Sequence, residues 1–114
     1  MRAADAAALH RTVDEADAAD WIEQKLALPQ LAGTTRVVLH TIVWDYLPAP
    51  IKQRIDAALA RAGAAATAQR PLAHLAIESD ETRGSARIDL TVWPSGRSVT
   101  LGRGDFHGRW AEWA

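Results

Sequence analysis

The chain contains no cysteine. Disulfides, a thiolate nucleophile and a cysteine-based zinc site are therefore excluded, and the absence fits a reducing compartment. Neither charge is in excess: 13 Lys and Arg against 14 Asp and Glu leave a formal net charge of −1. That balance gives no electrostatic footprint for nucleic acid. No apolar stretch reaches the ~18 residues of a membrane span. The N-terminus, Met1-Arg2-Ala3-Ala4-Asp5, has an early acid and no signal-peptide core, so a cytoplasmic protein without membrane association is expected. There is no internal repeat and no low-complexity linker. The 114 residues are 48% apolar and 24% charged, which is ordinary for a single globular domain spanning residues 1–114.

The first 28 residues are rich in alanine and acid. Thr12-Val13-Asp14-Glu15 has the spacing of a capping box with Thr12 as N-cap. Ala18, Ala19, Ile22 and Leu26 then fall on one helical face, flanked by Trp21, and Pro29 ends the pattern. The spacing predicts a helix from Val13 to Leu28. Residues 1–12 either form a short helix or fray.

A loop with Gly33 leads into the long apolar run Arg36–Trp44, whose β-branched content favours strand over helix. Apolar on both faces, it reads as an interior strand. Pro48-Ala49-Pro50 breaks it, and Pro50 suits the first turn of a helix. Ile51, Ile55, Ala58, Leu59 and Ala62 repeat at helical spacing, with Gly63 placed as a left-handed residue beyond the end. A helix over Pro50–Ala62 follows. Ala64 to Gln69 reads either as a short strand or as an extended link. Leu72–Glu78 is a strand. Ala86–Trp93 alternates, with Ile88, Leu90 and Val92 on its buried face. Pro94-Ser95-Gly96 is a turn, and Val99 and Leu101 continue the buried face on the return strand.

The expected fold class is α/β. A right-handed β-α-β crossover sets Arg36–Trp44 parallel to Leu72–Glu78, and an antiparallel hairpin extends one edge of a mixed β-sheet. The layout resembles the second half of a doubly wound, Rossmann-type fold.

Candidate chemistry collects at two places. His40 lies mid-strand and reads either as a hydrogen-bonded core histidine or as a general base near Asp45 or Tyr46. Trp44-Asp45-Tyr46 sits at the carboxyl end of the strand, where ligands of α/β folds bind. An aromatic pair with a carboxylate there could orient a flat or cationic ligand. The alternative is that the aromatics fill the seam between sheet and helix while Asp45 bonds loop amides. In the C-terminal turn, His107 and Arg109 could grip an anion, or Arg109 could pair with Glu112 or Glu78. The candidate ligand-binding set is thus His40, Trp44, Asp45, Tyr46, His107 and Arg109. His10, His40, His74 and His107 share no metal-ligand spacing, so no metal is expected. Gly102 to Gly108 is one residue too long for GxGxxG and opens no helix.

Four segments together resemble the C-terminal part of a bacterial family, domain of unknown function 2332. They are Val38-Leu39-His40-Thr41-Ile42-Val43-Trp44-Asp45-Tyr46-Leu47-Pro48, then Pro71-Leu72-Ala73-His74-Leu75, then Leu90-Thr91-Val92-Trp93-Pro94-Ser95-Gly96, and His107-Gly108-Arg109-Trp110-Ala111-Glu112-Trp113. The resemblance runs from about Ala18 onward. The family often has serine at the position of Thr41, an aromatic at that of His74, and Gly or Asp at that of Ser95. It carries no established activity. Its layout looks like that of Rossmann-type methyltransferases, which implies S-adenosylmethionine as the alternative cofactor. The glycine-rich turn of such folds follows their first strand, and nothing equivalent precedes Arg36.

Two functions follow as expectations. One is a non-catalytic domain, without cofactor, that acts by self-association as a homodimer or with a missing N-terminal partner region. One helix layer cannot cover both faces of so apolar a sheet. Trp21, Trp110 and Trp113 are its candidate anchors. The other is a methyltransferase-like binder of S-adenosylmethionine using the strand end beside Trp44, Asp45 and Tyr46.

Overall fold

The structure, a computed structural model, describes residues 17–114. The Thr12 capping box and the segment before it lie outside the described residues. Helix α1 spans Ala18–Ala27. Asp17 has ψ 134°, an extended value, and its carboxylate accepts the Asp20 N–H at 3.0 Å. The helix expected to run from residue 13 is therefore not continuous through Asp17, which is itself the N-cap. Leu28 turns extended ahead of Pro29 and ends the helix.

Strand β1 is Arg36–Thr41, shorter than expected by three residues. It ends because Ile42 takes φ 49°, a left-handed value costly for a β-branched residue. Trp44–Tyr46 then forms a single 3₁₀ turn instead of strand. Helix α2 runs Ala49–Ala65, with Pro50 in its first turn. Gly63 lies inside this helix and not beyond its end, a correction with a steric reason. A Cβ at Gly63 would stand 2.5 Å from the Trp93 indole, so glycine lets a sheet tryptophan lie against the helix backbone. The ambiguous Ala64–Gln69 resolves as the helix end and a tight turn, with Thr67 and Arg70 exchanging backbone hydrogen bonds.

Strands β2 (Leu72–Ser79), β3 (Ala86–Trp93), β4 (Arg97–Gly104) and β5 (Ala111–Trp113) complete a five-stranded mixed sheet in the order β1-β2-β3-β4-β5. The β1–β2 pair is parallel and the rest are antiparallel. The α/β class and the parallel pair followed by a hairpin are as expected. The interior placement of β1 is not: among the described residues β1 is an edge strand. Each strand after β2 pairs on the side away from β1, so the meander never returns to cover it.

Register assigns the two faces. Arg36, Val38 and His40 share one face with Leu72, His74, Ala76, Glu78 and Trp93. The helices cover this face. Ala19 and Ile22 of α1, Ile55, Ala58 and Leu59 of α2, and Leu72 form the core, with Val38, Trp44 and Trp93 packed against it. On α2, Arg54 adds a fork to Glu23 and Asp20 of α1. The opposite face carries Val37, Leu39, Leu75, Ile77, Leu90 and Val99, and no helix among the described residues packs on it. Sequence alternation made Ile88, Leu90, Val92, Val99 and Leu101 a buried face. In fact Val92 and Val99 are 36% and 53% exposed, and Ile88, at 5%, is buried beneath the C-terminal segment. The alternation holds, but the helix layer sits on the other side, the side of Thr91 and Trp93.

Candidate functional site

Parallel register brings the carboxyl ends of β1 and β2 together. His40 pairs in register with Ala76, so His74 and Glu78, two residues to either side, flank it on the helix-covered face. The three side chains form a chain of contacts. His40 Nδ1 lies 2.5 Å from Glu78 Oε2, and His40 Nε2 lies 2.8 Å from His74 Nε2. The other carboxylate oxygen of Glu78, Oε1, accepts the Val43 and Trp44 amides, each at 3.1 Å. These amides are free because the chain leaves the sheet at Ile42. The left-handed residue thus turns the next backbone donors onto the Glu78 carboxylate. Trp44 stacks on the His40 ring, with centroids 5.1 Å apart and planes 17° from parallel. The His40 and Glu78 side chains are only 15% and 17% exposed.

With both rings neutral and Glu78 as acceptor, these contacts admit one pair of tautomers. A proton on His40 Nδ1 is donated to Glu78, leaving a lone pair on Nε2. His74 Nε2–H then donates to that lone pair. A second proton between the rings would set two N–H donors against each other at 2.8 Å. Burial, and then the neighbouring His40, hold the His74 imidazole below its usual range, with Asp56 partly opposing them.

The sequence-derived candidates separate. His40 and Trp44 belong to this cluster. Asp45, next along, accepts from the Ser79 hydroxyl at 2.6 Å, while Glu78 takes the loop amides. Tyr46 is 82% exposed and joins neither the seam nor the cluster. His107 and Arg109 are in the turn between β4 and β5, where the buried Asp105 carboxylate organises the loop. It accepts the His107 and Arg109 amides and the Arg109 guanidinium at 3.0–3.2 Å. Arg109 holds the Asp105 carboxyl well below the usual range. Arg109 thus pairs with Asp105 and not with Glu112 or Glu78. His107 lines a cleft of about 550 Å³ on the helix-free face, with Phe106, Trp110 and Trp113 over Ile77 and Ile88. The strand-end pair and the C-terminal pair therefore serve opposite faces.

Sequence reasoning missed Glu78 and His74 as partners of His40. The signal was present. Strands starting at Arg36 and Leu72, paired in parallel and in register, place positions 74 and 78 on either side of position 40. Among the described residues no three His, Asp or Glu side chains converge as a metal site, and no helix is long and apolar enough to cross a membrane.

A family model described as an uncharacterised protein conserved in bacteria, domain of unknown function 2332, matches residues 1–113. The chain belongs to this family. The match includes the segment before Ala18, where the motif resemblance begins. All of the clusters described above lie within the family region. No curated protein matches. No solved structure matches.

Proposed function

We propose that this family member is an assembly domain, and that the partner on its uncovered sheet surface is a second copy of the same chain. The observation carrying this reading is the state of β1. Val37 and Leu39 are 58% and 57% exposed on the helix-free face, and β1 has no neighbour on its outer edge among the described residues. Edge strands are ordinarily blunted by lysine, proline, a bulge or a covering loop. Between Val37 and Thr41 there is neither lysine nor proline, and the sheet's register shift lies in β3–β4. Two β1 edges laid antiparallel about a two-fold axis are self-complementary. Each supplies the same free backbone groups and places Val37 and Leu39 beside their counterparts.

Sedimentation equilibrium tests this at micromolar concentration. The parent should be a dimer, and Leu39→Lys a monomer with unchanged circular dichroism, since the side chain points away from the core. A monomeric parent overturns the reading. If that monomer is also stabilised by S-adenosylmethionine, the transferase reading takes its place.

A further inference from the structure

The helix-covered face holds chemistry that assembly does not use. The Glu78–His40–His74 chain has two ends. The inner end is tied down by the Val43 and Trp44 amides on Glu78. The outer end is His74 Nδ1, which has no hydrogen-bond partner among the described residues. Among the described residues no buried side-chain nitrogen or oxygen lacks a partner, so Nδ1 reaches solvent. It does so in a cleft of about 430 Å³ between α2 and strands β2 and β3, lined by His74, Asp56, Gly63, Thr91 and Trp93. Small-molecule sites usually span roughly 300–1,000 Å³, so this cleft fits a small ligand.

From this geometry we infer that His74 Nδ1 is a general base for the cleft, with Glu78 and His40 as positioning residues behind it, acting on water or a hydroxyl beside a small uncharged or cationic ester. The Asp56 carboxylate on the cleft wall disfavours anionic substrates. The proton balance is simple. His74 Nδ1 takes the proton from the attacking oxygen, which bonds to the ester carbonyl carbon. The Nε2–H proton of His74 passes to His40 Nε2. His40 becomes an imidazolium against the Glu78 carboxylate and beneath the Trp44 ring. Collapse of the tetrahedral adduct breaks the bond to the alcohol, and the relayed proton returns through the same chain to the leaving oxygen. The positive charge is thus held on the side of the relay away from the cleft. The groups facing His74 that carry charge or titrate are His40 from β1, Glu78 from β2 and Asp56 from α2; Thr91 and Trp93 of β3 do neither. A low affinity of His74 for protons keeps its base form available at neutral pH.

Two measurements on the full chain test this. Long-range ¹H–¹⁵N correlation should report His40 as the Nδ1–H tautomer and His74 as the Nε2–H tautomer. In Glu78→Gln both should invert, because the amide NH₂ would donate to His40 Nδ1. With 4-nitrophenyl acetate as probe, the parent should hydrolyse about 100-fold faster than His74→Gln, the scale of general-base catalysis. An anionic ester, 4-nitrophenyl hydrogen succinate, should be a poorer substrate than the acetate for the parent. A parent His74 protonated at Nδ1 overturns the relay, whatever the variants do. Correct tautomers with equal hydrolysis by parent and His74→Gln overturn the catalytic role.

Discussion

His74 and Gly63 show how single residues acquire meaning from their neighbours. The folded protein holds the His74 imidazole below its unfolded value, because burial and His40 penalise the cation. The unfolded chain therefore binds more protons between the two values, and stability rises with pH there. This contribution is present above the unfolded value of about 6.5 and lost as pH falls toward the folded one. Urea midpoints measured across mildly acidic pH should decline in the parent and decline less in His74→Phe. Gly63→Ala tests the helix–tryptophan contact. Alanine gains about 1 kcal/mol of helix propensity. The Cβ would meet the Trp93 ring at 2.5 Å, an overpacking that costs about 1–3 kcal/mol, so the expected net change in urea unfolding is a loss of up to about 2 kcal/mol. A stabilising result would mean that Trp93 does not lie on this helix.

At the scale of elements, α2 was nearly fully legible and β1 only half so. Helical spacing of Ile51, Ile55, Ala58 and Leu59 located α2 and its buried face, and Ile55 is 5% exposed. Ile55→Ala should cost about 2–5 kcal/mol by denaturant unfolding. The ends were less readable. Gly63 carries two competing signals, helix stop and close approach, and only the position of Trp93 decides between them. In β1, the amides of Arg36 and Ile42 bond to Pro71 and Ile77 of the β2 side. Even-numbered residues thus face β2, and those of Val37, Leu39 and Thr41 face outward. Hydrogen exchange should alternate in dilute, monomeric protein, with Val38 and His40 slow and Val37, Leu39 and Thr41 fast. At concentrations that favour association, the outward amides should slow as well. Uniformly slow exchange in a monomer would place another segment of the chain on this edge. The candidate site was legible in the same partial way. His40 and Trp44 were candidates from their places within and at the end of one apolar run. Glu78 and His74 required a register between strands over 30 residues apart, which a single strand's pattern does not contain.

For the molecule as a whole, the carboxylates set the acid limit. Arg103 holds Asp80 down to about 2, Arg109 holds Asp105 low, and Arg54 lowers Glu23. Each folded value is depressed, so the stabilisation is present above the unfolded value of about 4 and lost as pH falls through the folded one. Stability should therefore fall in two stages on acidification, first through His74 and then through these carboxylates. Urea midpoints from neutral to acid pH read both. Arg103→Gln should remove part of the second stage only, because it releases Asp80 and leaves His74 untouched.

Period and composition determined the class of this protein, its elements and the alternation of each strand, because side-chain direction along one element is a local property. They also determined that one sheet would present more apolar surface than two helices can cover. The tertiary structure decided which face the helices took, that β1 lies at the edge, and that His40 meets Glu78 and His74. Those outcomes depend on strand order and inter-strand register. Both are set by how distant segments compete to bury Leu72, Trp93 and Ile55 together, and that competition is settled only when the whole chain has folded.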